Sequence, residues 1–138
     1  MSDFLTFKPI IMSTLEAVMS TQDVANRFNE LAQSGQMGKI QGELFADNAV
    51  SIEPKHGADM GMVNVEGLDA IKKKGDTFNQ MVQEMHGGYS SAPVVGGKYF
   101  SVAMGMDVTM KGAGRMKMDE IVVYEVKDGK IVKEQFFY

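Results

Sequence analysis

The 138-residue sequence has no cysteine, no tryptophan, only three prolines, and no apolar run near the ~20 residues needed to cross a bilayer. Without cysteine there are no disulfides, no thiolate metal sites and no cysteine nucleophile, which suits a reducing cytoplasm, the expected location. The start lacks the basic-then-apolar pattern of a secretory signal, and no membrane contact is expected. Clustered positive charge is also scarce: Lys72, Lys73 and Lys74 are the one basic run, and the formal net charge is −4. A nucleic-acid groove needs a row of cations to neutralise phosphates, so that partner is excluded, and the lysine run reads as a solvated helix face. No glycine-rich phosphate loop or GxSxG elbow occurs. The two histidines, His56 and His86, have no partner at metal-ligand spacing. No metal or organic cofactor is expected.

What is present describes one ordinary globular domain, with 44% hydrophobic and 23% charged residues. Residues 1–19 read as an N-terminal extension with a short helix through Ile11, Leu15, Val18 and Met19; residues 20–138 read as the domain itself. Ser20 and Asp23 have capping-box spacing and open a helix with the stripe Val24, Phe28, Leu31 and Ala32, stopped at Gly35. A short helix fits Met37, Ile40 and Leu44, and a strand over residues 49–53 ends at Pro54. The aperiodic stretch from Lys55 to Val65 reads as a rim loop. Leu68, Ile71, Phe78, Val82 and Met85 fall on one face of a five-turn helix, with His86 capping its C-terminus.

The last 50 residues read as four antiparallel strands, about Gly88–Val95, Tyr99–Met110, Arg115–Val126 and Lys130–Tyr138. Hairpin turns fall at Gly96-Gly97, Lys111 to Gly114 and Asp128-Gly129. With residues 49–53 at an edge, the expected fold is α+β, a cone-shaped, half-open sheet of about five strands around a long helix. Period-two alternation places Val102, Met104, Met106, Val108 and Met110 inward, together with Met116, Met118, Val122, Tyr124 and Val126.

Glu120 interrupts that inward series. A buried carboxyl costs several kcal/mol unless bonded, paired or protonated, so either Glu120 serves a site, or a bulge or a lysine relieves it. Glu134 alternates with Val132, Phe136 and Tyr138 on a final strand whose two sides are both partly apolar. Thirteen methionines, five of them on the inward face, combine with these glutamates to indicate a pliable apolar pocket.

The order helix, helix, strand, helix, meander, with Phe45-Ala46-Asp47-Asn48-Ala49-Val50 running into Glu53-Pro54, resembles the SnoaL-like branch of the nuclear transport factor 2-like superfamily. Val65-Glu66-Gly67-Leu68-Asp69-Ala70-Ile71 and Asp128-Gly129-Lys130-Ile131-Val132 also match, and the likeness covers residues 20–138. It implies a cystatin-like, cone-shaped fold, a small-molecule pocket and pairing of two copies through the outer sheet face, where Ile121, Val123 and Phe137 lie. By resemblance to ketosteroid isomerase, Glu53 takes the place of the catalytic base. Phe28 and Val122 take the places of that enzyme's two oxyanion donors, which removes its oxyanion hole.

Two functions are therefore expected. One is acid–base chemistry on a small apolar carbonyl or hydroxyl compound, with Glu53 as base, Glu120, His56 or Tyr124 assisting, and Phe28, Met104, Met106, Met118, Val122 and Glu134 lining the pocket. The other is a non-catalytic binding or dimeric association module, in which the methionines fill the interior.

Overall fold

A computed structural model of the chain describes residues 18–138. The helix expected over Ile11 to Met19 lies almost wholly outside the described residues. The first element, α1 (Thr21–Gln33), opens on the full capping box, with Ser20 Oγ accepting from the Asp23 amide and the Asp23 carboxylate accepting from the Ser20 amide. Its buried side chains are Val24, Ala25, Phe28 and Leu31. A 3-10 turn over Met37–Lys39 leads into α2 (Ile40–Leu44), which Arg27 ties to α1 by donating to both carboxylate oxygens of Glu43.

Seven strands form one curved sheet: β1 (Phe45–Ile52), β2 (Val65–Glu66), β3 (Val82–Ser90), β4 (Val94–Gly96), β5 (Tyr99–Met110), β6 (Gly114–Lys127) and β7 (Lys130–Phe137). Their spatial order is β2-β1-β7-β6-β5-β3, with β4 paired to the other end of β5. The β5, β6 and β7 meander is as expected from its turns. Asp128 (φ 50°) and Gly129 (φ 76°) supply the two left-handed positions of a type I′ hairpin. The turn before β5 is one residue later than expected: Gly96 pairs with Tyr99, so the loop is Gly97-Lys98, with the positive φ on Gly97.

Two expectations give way. The strand after α2 is longer and pairs in parallel with β7; with β2 on its outer edge, and with the strand expected over Gly88–Val95 divided into β3 and β4, the sheet of the described residues has seven strands rather than five. The long helix, α3 (Leu68–Met81), is shorter than its stripe, because Val82 to Ser90 pair with β5 as a strand. Apolar residues at 78, 82 and 85 fit a helix locally, but Val82 and Met85 gain a hydrogen-bonded partner strand instead. His86 is accordingly no helix cap; its Nε2 lies 2.7 Å from Thr109 Oγ1 on β5.

The core occupies the closed end of the cone. Tyr124 stacks there on Phe100 with ring centroids 4.9 Å apart, and Phe28 lies tilted to Tyr124 at 4.9 Å and edge-on to Phe100 at 5.5 Å, among Leu31, Leu44, Phe45, Val102, Val122 and Ile131.

Candidate functional site

Between α3, the start of α2 and the inner face of β5, β6 and β7 the sheet leaves an open cavity of about 490 Å³. Buried residues form its deep wall, among them Phe28, Ile40, Phe45, Ile71 and Tyr124, while half-exposed Met37, Met60 and Tyr138 form its rim. Met104, Met106, Met116 and Met118 line the wall between, only partly buried, so they do not fill the interior.

Strand phase brings carboxyls to this wall. The β5 and β6 register is unbroken from Tyr99↔Glu125 to Met110↔Gly114, so no bulge turns Glu120 away, and it faces the cavity opposite Met104. Among the described residues Glu120 has no hydrogen-bond or ion-pair partner. Its carboxyl is pushed up to about 7, by burial first and then by Glu53 and Glu134. Glu134 reaches the same wall by a different route. A bulge between Glu125 and Val126 of β6 and the facing strand pairs Val126 with Ile131 and Tyr124 with Glu134, so both Ile131 and Glu134 point inward. Ser51 lies directly opposite Glu134 on β1 and donates to its Oε1 at 2.8 Å. Burial raises the Glu134 carboxyl to about 7, opposed by the Ser51 hydrogen bond.

Glu53 extends β1 past Ser51 on the same face and has both oxygens engaged. Lys74 Nζ donates to Oε2 at 2.7 Å, and the Tyr138 hydroxyl donates to Oε1 at 2.8 Å. The Lys74 and Glu53 side chains are 12% and 5% exposed, a buried ion pair. Lys74 also donates to Ser51 Oγ at 2.7 Å and to the Val63 carbonyl at 3.3 Å, and sits 5.3 Å over the Phe136 ring. All three of its N–H bonds are thus used. Gly57 lets the Tyr138 hydroxyl approach, since a Cβ there would overlap it. Burial and Glu53 hold that hydroxyl protonated, well above its ordinary range.

The structure therefore brings Glu53, Glu120, Glu134, Tyr124, Phe28, Met104, Met106 and Met118 to one wall. It does not bring His56 or Val122. His56 is exposed on the 3-10 segment Lys55–Met60, its ring edge-on to Tyr138 at 5.3 Å, because the loop turns it outward. Val122 is fully buried in the core, covered by its neighbours rather than by the cavity. Lys74, Ser51 and Tyr138 belong to the site and were not singled out. Lys74, assigned to a solvated face, is the exception in its run: it follows Ile71 by three residues and precedes Phe78 by four, on the inward stripe. Ser51 shares the phase of Ala49 and Glu53, and Tyr138 that of Glu134 and Phe136. Among the described residues no group of His, Asp and Glu could hold a metal ion.

These features define a small-molecule pocket protein built on a curved α+β sheet. The chain belongs to the SnoaL-like domain family, whose profile matches residues 19–138. A solved structure from Mesorhizobium loti, provisionally named a SnoaL-like polyketide cyclase, is 34% identical; the match covers 87% of this chain and all of that one, with a TM-score of 0.79. Two more distant structures share the fold. A ketosteroid isomerase-like protein of Catenulispora acidiphila in complex with trimethylamine is 14% identical over 72% of each chain, with a TM-score of 0.59. TerC co-crystallised with polyporic acid is 13% identical over 83% of this chain and 91% of its own, with a TM-score of 0.66. No protein of curated function matches the chain.

Proposed function

We propose that the cavity binds a small, mainly apolar carbonyl or hydroxyl compound and that Glu120 exchanges a proton with it, as an isomerase, lyase or cyclase requires. The observation that carries this reading is Glu120 itself, unpaired among the described residues on the wall of an open cavity, with its carboxyl at about 7. Such a group is ionised often enough to accept a proton near neutral pH and basic enough to take it. Removal of a proton next to a carbonyl leaves an enolate and a neutral Glu120, which then returns the proton to the same or another carbon.

The roles expected for the two glutamates are exchanged in this reading. Glu53, with both oxygens engaged, anchors Lys74 and Tyr138, while Glu120 leads. Glu134 and Tyr124 flank the reacting group from the deep wall, and the methionines enclose the apolar body. Structures of the same fold that hold trimethylamine or polyporic acid support a pocket role for this scaffold.

Deuterium exchange tests the chemistry. Incubation with aryl and alkyl ketones in heavy water should incorporate deuterium next to the carbonyl, and Glu120→Gln should abolish the gain. Exchange no faster than in buffer, or equally fast in the variant, rejects the catalytic reading and leaves a binding module.

The outer sheet face supports self-association as a compatible role. Ile121 and Phe137 sit opposite each other on β6 and β7, 46% and 49% exposed, and two copies meeting there would cover them.

A further inference from the structure

The following rests on the pocket reading but not on catalysis. We propose that the cavity selects compounds carrying a protonated amine on an apolar body, with the ammonium seated between Glu120 and the Tyr124 oxygen.

The charges on the wall are unbalanced. Glu53 on β1, Glu120 on β6 and Glu134 on β7 all face the cavity, and Lys74 on α3 is the cation set among them. That cation is spent on Glu53, Ser51 and a carbonyl. Lys117 and Asp119 belong to the exposed rim, on the opposite phase of β6, where Asp119 accepts from Tyr89. Among the described residues two carboxyls thus remain without a counter-ion, and of these Glu134 alone has a hydrogen-bond donor.

Tyr124 supplies an independent sign. It is 4% exposed, it lines the cavity, and its hydroxyl makes no hydrogen bond among the described residues. Among the described residues the fully buried side-chain polar atom without a partner is Ser90 Oγ, so the Tyr124 oxygen keeps access to the cavity and is free to bond a polar group of a ligand. Burial first, then Glu134, its partner across the strands, and Glu120 on the same face of β6 keep that hydroxyl protonated.

A neutral ligand leaves the ionised Glu120 carboxylate without a compensating charge. An ammonium meets the carboxylate, cancels the burial penalty, and donates a further hydrogen bond to Tyr124. The methionines adapt to its apolar part.

Calorimetric titration with 2-(1-naphthyl)ethylamine and the matched 2-(1-naphthyl)ethanol tests the inference on the full chain. At pH 8 the amine should bind at least ~10-fold more tightly than the alcohol, and its affinity should fall ~10-fold or more by pH 5.5 as Glu120 takes up a proton. Glu120→Gln should bring the two compounds within about threefold of each other. The pH series on the unsubstituted protein stands even if the variant fails to fold. Binding of the alcohol with weaker or pH-independent binding of the amine overturns the inference and leaves the pocket reading intact. Heat from neither compound overturns the pocket reading, and the inference with it.

Discussion

The two ends of one hairpin behave differently although their inward residues are equally apolar. Toward the closed end of the cone β5 and β6 contribute Phe100, Val102, Val122 and Tyr124, all 4% exposed or less. Toward the mouth the same alternation contributes Met104, Met106, Met116 and Met118, which remain partly open to the cavity. Stiff, branched and aromatic side chains close-pack where α1 covers the sheet; flexible thioethers line the open cavity that faces α3, beyond which Val108 and Met110 are buried again. Polarity follows the same division, with the carboxyls and Lys74 on the open half. One end of the sheet holds the fold and the other is free to hold a ligand.

The sharpest way to break this comparison is to truncate both ends. Phe28→Ala should cost about 3–5 kcal/mol in chemical denaturation, whereas Met118→Ala should cost less than about 1 kcal/mol because its side chain already borders open space. Equal costs would mean the mouth is packed core. Next in size, Lys74→Met leaves the Glu53 carboxylate buried without its cation and should cost about 3 kcal/mol, against less than about 0.5 kcal/mol for exposed Lys72→Met. Similar losses at the two lysines would show that Lys74 belongs to the solvated face after all.

Smaller effects should appear with pH. The Glu120 and Glu134 carboxyls, raised to about 7 from an ordinary 4.5, bind protons in the folded state that the unfolded chain has already released. Stability from these groups is therefore complete below about 4.5 and is lost as pH rises to about 7, by roughly 1–3 kcal/mol for each. Melting temperature should fall across that window, and Glu134→Gln, which retains an acceptor for Ser51, should flatten the fall. A Glu134→Gln curve parallel to the parent would contradict the assignment. The smallest effect on the fold should come from the outer face, where Ile121→Lys should change unfolding energy by less than about 0.5 kcal/mol while halving the mass seen by light scattering. An unchanged mass would remove the outer face as a self-association surface.

Much of this division was legible before the structure. The capping box at Ser20, the α1 stripe and the Asp128-Gly129 turn carry local signals, and each describes what is found. The inward phase of β5 and β6 was readable because twelve consecutive pairs keep register, and that alone brought Glu120 to the wall. What failed depends on distant partners. Nothing local ends α3 at Met81, since pairing with β5 decides it. Glu134 could face either way until the bulge opposite it fixed the phase. Lys74 was hidden by Lys72 and Lys73, because a basic run looks uniform until one member proves to lie on the apolar stripe. The ion pair with Glu53 joins residues 21 apart and has no sequence signal of its own.

Among the described residues Glu120 is an unpaired carboxyl on the wall of an open cavity, and both proposals depend on it. Carbon-detected NMR titration of the side-chain carboxyls, with the Glu120 resonance assigned by Glu120→Gln, measures that directly. A midpoint near 7 is the result predicted. A midpoint in the ordinary range, about 4.3, would mean that Glu120 is solvated or paired, and would contradict both its proposed proton exchange and its proposed seat for an ammonium.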